Sequence, residues 1–189
     1  MDIKSLKKLN KNFDKEWERL SAEDKKSCVI FMLGTLRESD HFYKEASNKL
    51  INAKTALNQI IDDDTIYFVN NLKQMLKKMT DKKYMKEDKL QEEIMSTNNR
   101  QLLFSDIYKT YMALDELKEQ VHDILEQTKQ VIDNGTNSIS ANKLSTLVLQ
   151  VELLAEAHER YIDVFDNQTS KVKQLFAEFV KAKDDELAS

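Results

Sequence analysis

The sequence predicts an all-α protein, an elongated antiparallel coiled coil or helical bundle with long helices. Three observations support this prediction. The chain of 189 residues has no proline and two glycines, so the residues that usually form turns between strands are almost missing. Charged residues make up 33% of the chain, and strong helix formers dominate the rest. Three segments also carry unbroken heptad patterns of apolar residues, which are typical of coiled coils.

The first segment, residues 1–20, is expected to be a short amphipathic helix. Its apolar residues follow each other at steps of three and four: Ile3, Leu6, Leu9, Phe13, Trp17 and Leu20. One helix over residues 3–19 accounts for this spacing. Ser21 followed by Asp24 then resembles the start of the next helix.

The second segment, residues 21–97, is expected to form coiled-coil helices with a break near residues 62–64. Its seam, meaning the inward heptad positions, consists of Val29, Met32, Leu36, Ser39, Tyr43, Ala46, Leu50, Ala53, Leu57 and Ile60. Three aspartates end this pattern, and Asp64 is the expected N-cap of a following helix. Residues 80–97 have few apolar side chains, which indicates a fraying helix or a helical linker.

The third segment, residues 98–189, is expected to form a long antiparallel helical hairpin that turns at residues 133–138. Gly135 suits a left-handed helix cap in this polar stretch. The first seam of the hairpin is Leu103, Ile107, Thr110, Leu114, Leu117, Val121, Ile124, Thr128 and Val131. The second is Leu144, Leu147, Val151, Leu154, His158, Tyr161, Phe165, Gln168, Val172, Leu175, Phe179 and Ala182.

Helix length favours an elongated molecule. A helix over residues 140–187 would be roughly 70 Å long, whereas a compact chain of this size would be about 40 Å across. The sequence leaves open whether residues 21–61 pair within the chain or with another chain.

A second apolar stripe predicts the site at which partners bind. It lies beside the seam on both helices of the expected hairpin, and a two-stranded hairpin would leave it uncovered. N-terminal helices of the same chain or helices of a partner could cover it. The predicted partner-binding residues are Phe104, Tyr111, Leu125, Ile132, Val148, Ala155, Ile162 and Phe176.

Composition argues against several classes of function and gives the expected location. The net charge of −4 gives no general electrostatic reason to bind nucleic acid. The single cysteine, Cys28, rules out an internal disulfide and a cysteine-based zinc site. We expect no signal peptide, no stable membrane insertion and a cytoplasmic, cytoskeleton-associated protein. We also expect no cofactor and no catalytic residues, because no phosphate-binding glycine loop and few histidines are present.

Two sets of polar residues are candidate sites. Glu119 and His122 have the spacing of a di-iron bundle ligand pair, but no second such pair exists and Glu119 is expected to face solvent. His158 and Gln168 occupy seam positions, where buried polar groups can fix helix register. A pH-sensitive contact is the alternative for His158.

Two surfaces suggest other partners. Seven lysines between Lys73 and Lys89 form a locally basic stretch, which is expected to be a solvated face or a docking surface for an acidic partner. The N-terminal helix with Trp17 is the candidate for a lipid-binding helical bundle, the alternative function of another class.

The C-terminal half resembles the small shoulder subunit of dynactin. The resemblance lies in Glu119-Gln120-Val121, in Ser140-Ala141 with Leu144 and Leu147, and in Asn167-Gln168-Thr169 followed by Lys173-Gln174-Leu175-Phe176. The opening helix with Leu6, Leu9 and Trp17 is also similar to that family. The resemblance implies a non-catalytic protein that bundles with the large cargo-arm subunit of dynactin and with dynamitin, in dynein-dependent, microtubule-based transport.

The predicted function is therefore that of a non-catalytic coiled-coil structural subunit in a multi-protein cytoskeletal assembly, with the dynactin shoulder as the leading candidate. A hetero-oligomer is expected. A coiled-coil subunit of a tethering, kinetochore or vesicle-docking complex is the alternative within the same class. The sequence identifies neither the partners nor the stoichiometry.

Overall fold

The protein is all-α in a computed structural model. The structure describes the backbone of residues 1–96 and 99–188 and the side chains of residues 1–79, 89, 92, 99–175 and 177. It is 93% helical, and the described residues contain no strand. The α-helices are α1 (Ile3–Lys11), α2 (Phe13–Arg19), α3 (Ala22–Ile60), α4 (Asp63–Ser96), α5 (Arg100–Asn134) and α6 (Ala141–Ala188), with a 3₁₀ turn at Thr136–Ser138.

Short polar side chains start the helices. Ser21 accepts a hydrogen bond from the amide of Asp24 at 3.1 Å, which satisfies an amide that the first turn leaves without a helical partner. Asp62, rather than the predicted Asp64, caps α4 by accepting from the amide of Thr65 at 2.7 Å. After α5, Gly135 adopts a φ of 85°, a value that favours glycine. The turn between α5 and α6 therefore lies where the polar sequence predicted it.

The prediction of one helix over residues 3–19 is wrong, because the chain breaks at Asn12. Asn12 has an extended φ of −152° and ψ of 86°. Its side chain accepts from the amide of Lys15 at 3.3 Å and so caps α2. The apolar spacing continues across the break because both short helices turn their apolar side chains toward the same core, which hides the break from a periodicity argument.

The chain divides into two compact units that cut across the predicted segments. The first unit combines residues 1–41, 91–114 and 163–189, and the second combines residues 42–90 and 115–162. Each unit therefore draws on several helices that are distant in sequence.

An aromatic cluster forms part of the core of the first unit. Phe13 stacks on Trp17 and on Phe104, with ring centroids 5.3 and 5.2 Å apart. Lys25 lies over the Trp17 ring at 5.6 Å, a cation–π contact. Cys28 is also fully buried in this unit, and burial raises the pKa of its thiol to about 12. Trp17, only 4% exposed, belongs to this core.

The side chain of Gln101 forms hydrogen bonds to both helices at the break between α1 and α2. Its amide nitrogen donates to the carbonyl of Asn10 at 2.8 Å, and its amide oxygen accepts from the amide of Phe13. It thus pairs with the last turn of α1 and the first turn of α2 at once, where backbone groups lack helical partners.

Replacing Gln101 with alanine should lower the free energy of unfolding by about 2 kcal/mol, because a partly buried amide and a partly buried carbonyl each lose a partner. Urea unfolding monitored by Trp17 fluorescence measures this change. Gln120→Ala, an exposed glutamine on the same helix, is the control and should change stability by less than about 0.5 kcal/mol. Equal effects of the two substitutions would contradict a bridging role for Gln101.

The second unit packs the C-terminal part of α3, the first part of α4, the end of α5 and the start of α6. Its core contains Ala46, Leu50, Ala53, Leu57, Val69, Val121, Ile124, Val131, Leu144, Leu147, Val148, Val151 and Ala155. These include most of the seam positions that fall in this unit, so the heptad pattern correctly predicted the buried faces of α3, α5 and α6. Among the described side chains of α4, Val69 is the one that belongs to the buried core, and the heptad pattern did not predict this.

An ion-pair cluster ties α4 to α6 and α3. Lys73 lies 3.7 Å from Glu152 and also pairs with Glu156, while Lys54 reaches Glu152 at 3.7 Å. Burial alone would raise the pKa of Glu156, but the hydrogen bond and positive charge of Lys73 outweigh it and hold that pKa below its usual value. Glu152 is only 9% exposed, so these lysines supply the charge that its burial requires.

Candidate partner-binding groove between α3 and α5

Two adjoining pockets lie between α3 and α5 on the second unit and share Lys49 and Leu125; together they are called the α3–α5 groove below. Its walls are Phe42, Glu45, Ala46, Lys49, Asn52, Ala53 and Ala56 of α3 and Lys118, Val121, His122, Leu125, Thr128, Lys129 and Ile132 of α5. Residue numbers rise together along the two walls, from Phe42 and Val121 at one end to Ala56 and Ile132 at the other. The two helices therefore run in the same direction here.

Small side chains create the groove. Ala46 and Ala53 lie seven residues apart on α3 and Ala56 lies three residues further on, where larger residues would fill the space between the helices. Ala46 and Ala53 are buried at 3% and 8% exposure, so they form the floor. Leu125 and Ile132 form the opposite wall; Leu125 is half-buried, and Ile132 keeps 41% of its surface in solvent.

The floor of the groove is part of a well-packed core. Leu50 and Leu57, fully buried, flank Ala53 in sequence and pack in the same cluster as Val121 and Val131 of α5. Close packing of this kind makes the groove a preformed feature of the unit. A ligand that enters it would not first have to open the fold.

Positive charge surrounds the groove. Lys49, Lys118 and Lys129 line it, and Glu45 is the acidic residue among the lining side chains. Three lysines against one glutamate give the lining side chains a net positive charge, and Glu45 forms an exposed ion pair with Lys49 at 3.0 Å. A ligand with acidic groups beside an apolar face would complement this surface.

Three of the predicted partner-binding residues are buried by the chain itself. Phe104, Val148 and Ala155 are 0%, 2% and 5% exposed. Phe104 packs against Phe13 of α2, and the other two lie in the core of the second unit. From the sequence, N-terminal helices of the same chain were one possible cover for this stripe. In the structure, α2 covers Phe104 in this way.

Four others keep access to solvent. Tyr111 and Ile132 are each 41% exposed, while Leu125 and Ile162 are half-buried. Tyr111 also contacts Phe31 edge-on, with centroids 4.9 Å apart. The structure brings Leu125 and Ile132 together in the α3–α5 groove. The side chain of Phe176 lies outside the described residues. Partner binding by these residues stays a prediction. For Leu125 and Ile132, the α3–α5 groove is the surface on which that prediction can be tested.

Sequence reasoning missed the α3 wall of the groove. The heptad pattern places Ala46 and Ala53 in the seam as ordinary apolar positions. Their small size was the available signal, because alanine at successive heptad positions leaves room beside a neighbouring helix. Periodicity treats alanine and leucine alike, so it does not distinguish a filled interface from an open one.

His158 lies in the second unit among aromatic rings. Its ring centroid is 4.4 Å from that of Tyr43 and 5.7 Å from that of Phe42. It is 1% exposed, and neither ring nitrogen has a hydrogen-bond partner. Burial lowers the pKa of His158 from 6.5 to about 4, so the imidazole is neutral at pH 7.

Gln168 is fully buried in the first unit and donates to a carboxylate oxygen of Asp106. Burial raises the pKa of Asp106 above its usual value, although the hydrogen bond from Gln168 and the charge of Lys109 oppose this. His158 and Gln168 thus occupy the buried seam positions that the heptad pattern assigned to them. Their effect on register stays a prediction.

The other sequence-predicted candidates do not assemble into a metal centre. Glu119 and His122 are both exposed on α5, and His122 lines the groove. Among the side chains that the structure describes, no three His, Cys, Asp or Glu residues lie close enough together to hold a metal ion. Lys82, Lys83 and Lys86 of the basic stretch lie outside the described side chains.

Comparisons with known proteins leave the chain without an assigned family. The chain matches no protein-family model, no curated protein and no solved structure. Within the described residues, no helix has both the length and the apolar character that crossing a membrane requires. The physical features of the groove are therefore the main basis for a functional proposal.

Proposed function

We propose that the protein is a non-catalytic structural subunit that receives an amphipathic helix of a partner protein in its α3–α5 groove. The observation that carries this proposal is the groove itself, which has a floor of small side chains and an apolar wall formed by half-buried Leu125 and exposed Ile132. A helix laid in such a groove would bury apolar side chains spaced three and four residues apart.

The groove defines the chemistry of the partner helix. The α3 wall from Phe42 to Ala56 is about 21 Å long, which corresponds to roughly four turns of helix. Large apolar side chains such as Leu, Met or Phe fit above Ala53 and Ala56, where α3 offers little volume. Acidic residues flanking that apolar face would meet Lys49, Lys118 and Lys129.

The assembly that we propose is a cytoplasmic, cytoskeletal one built on an elongated antiparallel coiled coil. Its leading candidate is the dynactin shoulder, in which the large cargo-arm subunit and dynamitin would be the partners. The resemblance of the C-terminal helices supports this choice, and the groove is compatible with it because those partners would supply helices. Tethering, kinetochore and vesicle-docking complexes are the alternatives that the same experiment would identify.

Replacing Ile132 with lysine should weaken binding of the partner helix at least tenfold, or about 1.4 kcal/mol, because a charge would replace an exposed apolar contact. The measurement is affinity purification of the tagged chain from cells, followed by mass spectrometry and titration of the purified partner. Lys129→Glu should weaken the same partner and make the remaining binding less sensitive to salt.

Ile51→Lys is the matched control, because Ile51 lies on α3 at 38% exposure and does not line the groove. Partners that use the groove are retained by wild type and by Ile51→Lys but lost by Ile132→Lys. If every retained protein binds both variants equally, the groove is not the binding site and the proposal fails. Recovery of dynactin subunits among the groove-dependent proteins would support the shoulder assignment, and recovery of another complex would replace it.

A further inference from the structure

The first part of α4 exposes an apolar face that the second unit does not use. Tyr67, Phe68, Met75 and Met79 are 70%, 49%, 60% and 79% exposed. Large apolar residues scattered singly on a surface are ordinary, but a contiguous group of this kind marks an interaction surface. We call this group the α4 face.

Helix geometry places the α4 face on the side away from the core. At about 100° per residue, Tyr67, Phe68 and Met75 share one side of the helix. The anchoring residues Val69 and Lys73 lie on the other side, where Val69 is buried and Lys73 pairs with the glutamates of α6. The α4 face can therefore be covered by another molecule without disturbing the packing of α4.

Charges of opposite sign mark the two ends of the α4 face. Asp64 stands at its N-terminal end and Lys78 at its C-terminal end, about 21 Å apart along the helix. By the same angular count, both lie on the side of the helix that carries the apolar residues. Placed antiparallel, two such helices bring Asp64 of each copy near Lys78 of the other, whereas a parallel arrangement would bring like charges together.

We propose that the α4 face pairs antiparallel with the α4 face of a second copy of this chain. In the register that joins Asp64 to Lys78, Tyr67 of one copy lies opposite Met75 of the other, and Phe68 packs beside the same methionine. Thioether and aromatic groups pack favourably against each other, and the two-fold arrangement repeats each contact twice. This inference rests on a different surface from the proposed function and goes beyond it.

The charge pattern favours a second copy over a lipid surface. A helix that lies on an anionic membrane carries basic residues along the whole of its polar flanks. The lysines from Lys73 onward flank one end of the α4 face, but Asp63 and Asp64 flank the other end. The exposed side chains offer on the order of 500 Å² per copy. Both copies together thus bury about 1,000 Å², which lies at the lower end for specific interfaces and predicts a concentration-dependent dimer.

Sedimentation equilibrium of the full chain tests the proposal. Wild type should form a dimer at micromolar concentrations, and Met75→Lys should raise the dissociation constant at least thirtyfold. Met112→Lys is the matched control, because Met112 is similarly exposed at 56% but lies on α5; this variant should dimerise like wild type. Ile132→Lys in the α3–α5 groove should also remain dimeric, so failure of the groove proposal and failure of this one are distinguishable.

A charge-exchange experiment tests the antiparallel arrangement. Asp64→Lys and Lys78→Asp should each weaken self-association about fivefold, because each creates like-charge contacts at both ends of the pair. Mixing the two variants should restore wild-type affinity, because every end then joins Asp to Lys. A wild type that stays monomeric at 100 μM or above would overturn the proposal. So would a dimer insensitive to Met75→Lys, or a monomer that binds anionic vesicles through Met75.

Discussion

Replacing Phe104 with alanine should lower the free energy of unfolding by about 3–5 kcal/mol. Phe104 is 0% exposed, and its ring packs 5.2 Å from that of Phe13 and 6.2 Å from that of Tyr108, measured between centroids. Truncation would leave a cavity between α2 and α5 and remove aromatic contacts on both sides. Urea unfolding followed by Trp17 fluorescence and by circular dichroism measures the loss.

Met112→Ala provides the control for this prediction. Met112 lies on the same helix but is 56% exposed, so its truncation should cost less than about 1 kcal/mol. The result also separates two interpretations of Phe104, which the sequence placed on a partner-binding stripe. If Phe104→Ala left stability unchanged and removed a binding partner, Phe104 would be an interface residue and the packing described above would be wrong.

Lowering the pH from 7 to 5 should cost the folded protein about 2 kcal/mol through His158 alone. The pKa of His158 falls from its ordinary value of 6.5 to about 4 on folding, because the ring is buried. Between these two values the unfolded chain binds a proton that the folded chain does not, so stability decreases as the pH falls through 6.5. The loss from this group is complete near pH 4, below which both states are protonated.

The measurement is the urea midpoint as a function of pH for wild type and for His158→Leu. Leucine is close to histidine in volume and has no titrating group, so the variant should lose this part of the pH dependence. His122→Gln, which removes an exposed histidine on α5, should keep the wild-type profile. An unchanged slope between pH 7 and 5 in His158→Leu would show that other groups cause the acid sensitivity.

The helix ends were largely predictable, because they depend on local chemistry. Ser21 starts α3 and Gly135 ends α5 through contacts within a few residues. The buried faces of α3, α5 and α6 followed from heptad spacing for the same reason. Four of the five polar seam residues, Ser39, Thr128, His158 and Gln168, are buried at 0–2% exposure, and the fifth, Thr110, is half-buried.

What the sequence could not supply was the long-range pairing. The break at Asn12 depends on Gln101, which is remote in sequence. The cover over Phe104 comes from Phe13, and the open α3–α5 groove depends on which helix lies beside the alanines of α3. In the described part of α4, Val69 is buried whereas Met75 and Met79 are exposed. Each of these features is decided by partners that heptad spacing does not specify.

The burial of Cys28 has a chemical consequence. A thiolate is the form of cysteine that reacts with oxidants and alkylating agents. With its pKa raised to about 12 and its sulfur enclosed in the first unit, Cys28 stays protonated and inert at neutral pH while that unit is closed. Reaction at the Cys28 thiol therefore requires the first unit to open. The rate of this reaction reports that opening without an engineered label.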